Sequence, residues 1–142
     1  MGYKEVSVKR KFMGRFPHGA DLLEEINKFI NENKIYSGEI SIIGAVTKSI
    51  FGYYDSEGKK YIHIEKNEHM EMLSASGNIS VNDGKPFPHV HIILADKNGS
   101  VFGGHLMEGT KIFAAEFIIS DFGDDTFKRT DDISTGLKLW NL

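Results

Sequence analysis

The chain is predicted to adopt an α+β fold, a largely antiparallel β-sheet with one main helix packed on a face. Two patterns carry this prediction. Residues 21–33 place apolar side chains at helical spacing, whereas the other ordered-looking runs alternate with a period of two, as strands do. Clusters of Gly, Asn and Asp separate those runs, with no Pro- or Ser-rich linker between them. A chain of 142 residues without repeats or low-complexity tracts is expected to form a single domain, residues 1–142.

The elements follow in order. Val6, Val8, Arg10 and Phe12 alternate with Ser7, Lys9, Lys11 and Met13, which predicts an opening strand. His18-Gly19-Ala20 breaks that period. Asp21 then fits a helix N-cap, and Leu22, Leu23, Ile26, Phe29 and Ile30 form one stripe ending near Asn33-Lys34. The segment GEISIIGAVTKSIFGYY is rich in β-formers, with a bulge or bend expected at Gly44 and Gly52. Asp55-Ser56-Glu57-Gly58 is a turn signal leading into KKYIHIEK, and the two runs together predict a hairpin. EMLSASGNISV and PHVHIILA follow as strands around Asn82-Asp83-Gly84. Residues 110–120 predict a long strand with Phe113, Ala115, Phe117 and Ile119 on one face. The terminal STGLKLWNL is expected to dock Leu137, Leu139 and Trp140.

Composition removes several function classes. The chain has no cysteine, so disulfides, thiolate metal sites and cysteine nucleophiles are excluded. Any metal must bind nitrogen or oxygen. A formal net charge of -3 gives no global pull toward a phosphate backbone; Lys9, Arg10, Lys11 and Arg15 are the densest basic run and suit a solvated strand edge. No apolar run approaches the ~20 residues of a membrane span, and MGYKEVSVKR lacks a signal-peptide core, so a cytoplasmic protein with no membrane partner is expected. There is no G-x-S-x-G elbow, and Phe102-Gly103-Gly104-His105 lacks the Lys-Ser/Thr of a nucleotide-phosphate loop.

Half of the six histidines lie in PHVHIILADKNGSVFGGHL, residues 88–106. His89 and His91, two apart in a strand, share a face. Where His105 points depends on the turn. Asp96-Lys97-Asn98-Gly99-Ser100 suits a three-residue loop closed by Gly99 in the left-handed conformation, which sets Asp96 against Ser100 and His91 across from His105. Val90, Ile92, Leu94, Phe102 and Leu106 then share the opposite, core-facing side. Gly103 and Gly104 leave open space beside the imidazoles, where a small molecule is expected to fit.

Three neutral imidazoles with a fourth position open suit zinc or a similar divalent ion. On the residues alone two readings stand: such a site, or a polar strand face with hydrogen-bonded histidines. Glu71 is assigned to the pocket wall, and Glu71 or Glu116 is the general base if either folds near the ion. His63 and His69 read as solvated, and His18 as hydrogen-bonded near the helix start.

GADLLEEI, SGEISIIGAV, EMLSASGNIS, PHVHIILADKNGSVFGGHL and the later Glu116 and Arg129, in that order, resemble the plants and prokaryotes conserved domain, over about Phe12 to Trp140. The resemblance implies a fold similar to the C-terminal domain of translation initiation factor three and assembly as a homotrimer. It also implies that His89, His91 and His105 hold a zinc-like ion. Plant members use a Gly-Arg-Phe-Glu-type segment for partner contacts; here it aligns with Glu68-His69-Met70-Glu71, where Glu71 and the later Leu73 match but the Arg and Phe do not. Their Arg-Gly-Arg-Pro AT-hook core is missing.

Three readings therefore compete. The first is a homotrimeric three-histidine metal domain with a small-molecule pocket, its reaction open and its status as an enzyme undecided. The second is a non-enzymatic DNA-associated module. The third is a structural trimer whose histidines only pack. Phe51, Tyr53, Tyr54, Phe87 and Phe127 are candidates for the apolar surface of an assembly, each equally suited to the core.

Overall fold

The fold is given by a computed structural model that describes residues 2–124 and 126–142. The described residues form β1 (Arg10–Phe16), α1 (Leu22–Glu32), β2 (Gly38–Asp55), β3 (Lys60–Lys66), β4 (Met70–Asn82), β5 (Lys85–Ala95), β6 (Val101–Leu106), β7 (Lys111–Asp121), β8 (Arg129–Asp132) and β9 (Leu137–Trp140). The α+β expectation holds. Among these residues no helix is long and apolar enough to cross a membrane.

Seven strands form one sheet in the order β1-β7-β2-β4-β5-β6, with β3 on β2. The long β2 pairs with β4 and β7 through its first half and with β3 through its second. Two further pairs, Phe51 with Leu106 and Gly52 with His105, join β2 to β6. The path β2-β4-β5-β6 therefore closes on itself around the core. Its interior holds Ile42, Phe51, Met72, Ala75, Val90, Ile92, Leu94 and Leu106, all buried.

Helix α1 begins where expected. Asp21 Oδ1 accepts from the backbone N–H groups of Leu23 and Glu24, and Oδ2 accepts from Gly109 N–H at 2.6 Å. One carboxylate thus caps the helix and ties it to the β6–β7 connection. Leu22, Ile26 and Ile30 are fully buried, and Phe29 packs on Phe117 with ring centroids 4.9 Å apart. The helix stops at Asn33, and Lys34 follows at φ 54°.

Three expectations need correction. The first strand starts at Arg10, not Val6, because its partner β7 ends at Asp121, opposite Arg10. Gly52 does not interrupt β2, which runs unbroken to Asp55; the register shift falls at Gly44, where β4 contributes an extra residue. Phe113 leaves the buried face of β7 because Ala45 pairs with Ala114 and Val46 with Ile112, so Phe113 is a bulge residue, 48% exposed. Phe51 and Phe127 are buried and cannot cover an assembly surface, whereas Tyr53 is exposed.

The chain after β7 forms the β8–β9 hairpin. Phe127 and Trp140 stack at 4.7 Å, and Val81 N–H donates to Phe127 O, which docks the hairpin on the end of β4. Tyr54 Oη donates to Thr135 O at 2.6 Å, tying the hairpin turn to β2.

Candidate metal centre

The β5–β6 turn sets the site. Asp96 N–H donates to Ser100 O, Gly99 N–H donates to Asp96 O, and Asp96 Oδ1 accepts from the N–H groups of Asn98 and Ser100. Gly99 has φ 80°, a conformation that strains any residue with a Cβ. This is the three-residue loop read from the sequence, and it fixes the register: His91 pairs with His105 and Ile93 with Gly103. A two-residue turn would have shifted the pairing and moved His105 to the other face. On β4, Ser76 and Asn78 stand opposite His91 and His89, so the imidazoles lie among polar neighbours on the outer side of the closed sheet.

The three ring centroids stand 5.1, 5.2 and 5.6 Å apart, and one nitrogen from each ring lies within 4.8 Å of the other two. For nitrogens ~2.0–2.1 Å from a tetrahedral ion, plus ~1.1 Å from nitrogen to ring centre, centroids should stand roughly 5.2 Å apart. The residues therefore fit such an ion. Around such an ion the nitrogens would stand ~3.4 Å apart, inside the 4.8 Å that bounds them here. Nδ1 of His105 is buried without a hydrogen-bond partner, an orphan that a metal would satisfy.

Burial and neighbouring positive charge disfavour protonation of two of the three imidazoles, His89 and His105. Burial, then Arg129, then His105 and His91 push His89 down to about 4. Burial, His91 and Arg129 lower His105. At neutral pH His89 is uncharged, as a metal ligand must be. The ring of Tyr61 stacks on His105 at 4.9 Å and 30°. Tyr61 reaches it across Gly52, where a Cβ would come within 2.8 Å of Tyr61 Cδ1. Burial and the neighbouring Tyr54 raise the Tyr61 pKa, partly offset by Arg129.

With this geometry in place, the comparison with known families decides the kinship. The model of the Plants and Prokaryotes Conserved (PCC) domain matches residues 3–123. The chain belongs to the PCC domain family. Among solved structures, this PCC domain is similar to a metal-containing protein from Archaeoglobus fulgidus, at 41% identity and TM-score 0.92, covering 99% of each chain. It is also similar to a plant- and prokaryote-conserved protein from Pyrococcus horikoshii, at 34% identity and TM-score 0.93, covering 100% of this chain and 98% of that one. A curated relative, the bifunctional protein GlmU of a Synechococcus strain, is 30% identical over 123 residues, 85% of this chain. The chain spans 18% of the length of the curated relatives it matches.

The imidazoles of the PCC domain form part of the wall of a cavity of about 650 Å³. Gly104 lines it; Gly103 does not, standing two pairs beyond His91 and His105, against Ile93. Glu71 is placed elsewhere. It pairs with Ala45 and Ala95 on the far stretch of β4, exposed, with His69 Nε2 3.8 Å from its carboxylate. Glu116 also lies away, between Arg15 and Ile43. Within one chain neither glutamate lies at the histidine cluster. His18 Nδ1 is 2.8 Å from Phe113 O, in keeping with its expected structural role.

Tyr61 and the β8–β9 hairpin were the components that sequence reasoning missed. Tyr61 lies in an ordinary hairpin alternation, and its one signal is the glycine it crosses. Arg129 donates from Nε to Ser80 Oγ at 2.8 Å, from Nη1 to Lys138 O at 2.9 Å and from Nη2 to Asn78 Oδ1 at 3.2 Å. Those bonds hold it half-buried in the wall. Phe87, with the Arg129 guanidinium 5.2 Å from its ring centre, and Leu137 and Leu139 complete the apolar lining.

Proposed function

We propose that this PCC domain works as a homotrimer that holds a zinc-type divalent ion on His89, His91 and His105 and takes a small molecule into the adjoining cavity. The observation that carries the reading is the spacing of the three rings, which matches a tetrahedral site, and His105 also has a buried nitrogen without a partner. The metal-containing relative, 41% identical over the same length, supports it.

Such an ion supplies Lewis acidity at its fourth, open position. The residues around it supply the rest. Tyr61 fixes the plane of the His105 ring, and Ser76 and Asn78 border the cluster on β4. Phe87, Leu137 and Leu139 exclude water from one side of the cavity. The assembly reading is supported by another surface. Met13, Ile43, Leu73, Ile93 and Ile118 are all exposed on the outer side of the sheet. Met13 and Ile118 head a cross-sheet row that continues through Ser41 and Ser76 to His91 and His105. Met13, Ile43 and Ile118 line one surface groove, and exposed apolar surface of this kind is usually covered by a partner.

Chelator competition tests the site: wild type should bind zinc far more tightly than His91→Ala, and equal affinities would contradict the reading. Sedimentation tests the assembly. A species three times the 15.9 kDa chain is expected, and a monomer at micromolar concentration would contradict it.

A further inference from the structure

The cavity beside the histidines is lined by no Asp or Glu among the described residues. Its other cation, Lys138, is matched by Asp83 at 2.7 Å. Arg129 has no carboxylate partner among the described residues; its three hydrogen bonds all go to neutral oxygens. A guanidinium carries five N–H donors. Three are used here, one each on Nε, Nη1 and Nη2, so one N–H is left on each terminal nitrogen. Both lie on one planar guanidinium fork, the group that pairs with carboxylates. A half-buried charge with no carboxylate partner among the described residues is costly, and an anion in the cavity would offset that cost. The surfaces beside it are apolar or aromatic, from Phe87, Leu137, Leu139 and Tyr54.

We infer that the cavity takes a small organic carboxylate, its acid group paired with the two unused N–H groups of Arg129 and its apolar body against Phe87, Leu137 and Leu139. This rests on the small-molecule reading of the cavity, and it does not need the ion. Arg129 is the specificity-determining contact. Its bonds to Ser80, Asn78 and Lys138 hold the fork in place before the ligand arrives, so little side-chain freedom is lost on binding.

Isothermal titration of the full chain with benzoate and with benzamide, its neutral isostere, reads the inference directly. Wild type should bind benzoate about tenfold or more tighter than benzamide. That preference should persist after chelator stripping and fall to within about twofold in Arg129→Gln. The wild-type comparison stands even if the variant does not fold. Equal affinities for benzoate and benzamide would overturn the inference, as would tighter binding of inorganic phosphate than of benzoate. A preference seen only in metal-loaded protein and retained by Arg129→Gln would also overturn it, since the ion alone would then hold the anion. Metal content measured on the same samples reports on the ion independently, so the two readings fail separately.

Discussion

At Gly52 a Cβ would stand 2.5 Å from Met107 Cε and 2.8 Å from Tyr61 Cδ1. The methionine end can swing away, but the tyrosine ring is held between Tyr54 and His105. Gly52→Ala should therefore displace Tyr61, cost about 1–3 kcal/mol in denaturant unfolding and weaken metal retention by freeing the His105 ring. Unchanged stability and zinc affinity would show that Tyr61 is a bystander. The histidines also make a pH prediction for metal-free protein. Folded His89 titrates near about 4 against 6.5 ordinarily, and folded His105 is lowered too. Between those values the unfolded chain binds protons that the folded chain excludes, so stability is complete above about 6.5 and falls as pH drops toward 4. Unfolding midpoints across that window should drop less in His89→Gln than in wild type.

At the scale of elements, the β5–β6 hairpin and helix α1 offer a contrast. Gly99→Val puts a branched side chain at φ 80° and should cost about 1–2 kcal/mol while loosening the His91–His105 register, so metal affinity falls with stability. Asp21→Ala removes three backbone acceptor contacts at 3% exposure and should cost about 1–3 kcal/mol. It should leave zinc affinity intact, because the helix does not line the histidine cavity. Chelator competition on both variants checks the split. The same contrast explains what could be read beforehand. The helix cap and the hairpin register are local, set by residues a few positions apart, and Asp21, Gly99 and Asp96 announce them. The bulge at Phe113 and the meeting of Tyr61 with His105 depend on β2 changing partners along its length. No nearby residue encodes that switch. Glu71 was misplaced for a related reason: a strand position fixes a face but not the distance along a long β4 to the site.

For the whole molecule, closure of β2-β4-β5-β6 puts the core inside and leaves the outer face to carry both the histidines and an apolar groove. Ile43, 56% exposed, lines that groove with Met13 and Ile118. Ile43→Glu should leave the fold intact, since surface substitutions usually change stability by less than about 0.5 kcal/mol. It should convert a trimer into a 15.9 kDa species in sedimentation. An unchanged trimer would move the assembly surface elsewhere. The central claim is the ion on His89, His91 and His105, and the most direct measurement is elemental analysis of protein purified without a histidine tag. The account predicts about one divalent ion per chain, reduced severalfold or more in His91→Ala. Less than about 0.2 ion per chain after zinc supplementation, with no difference between wild type and the variant, would contradict it.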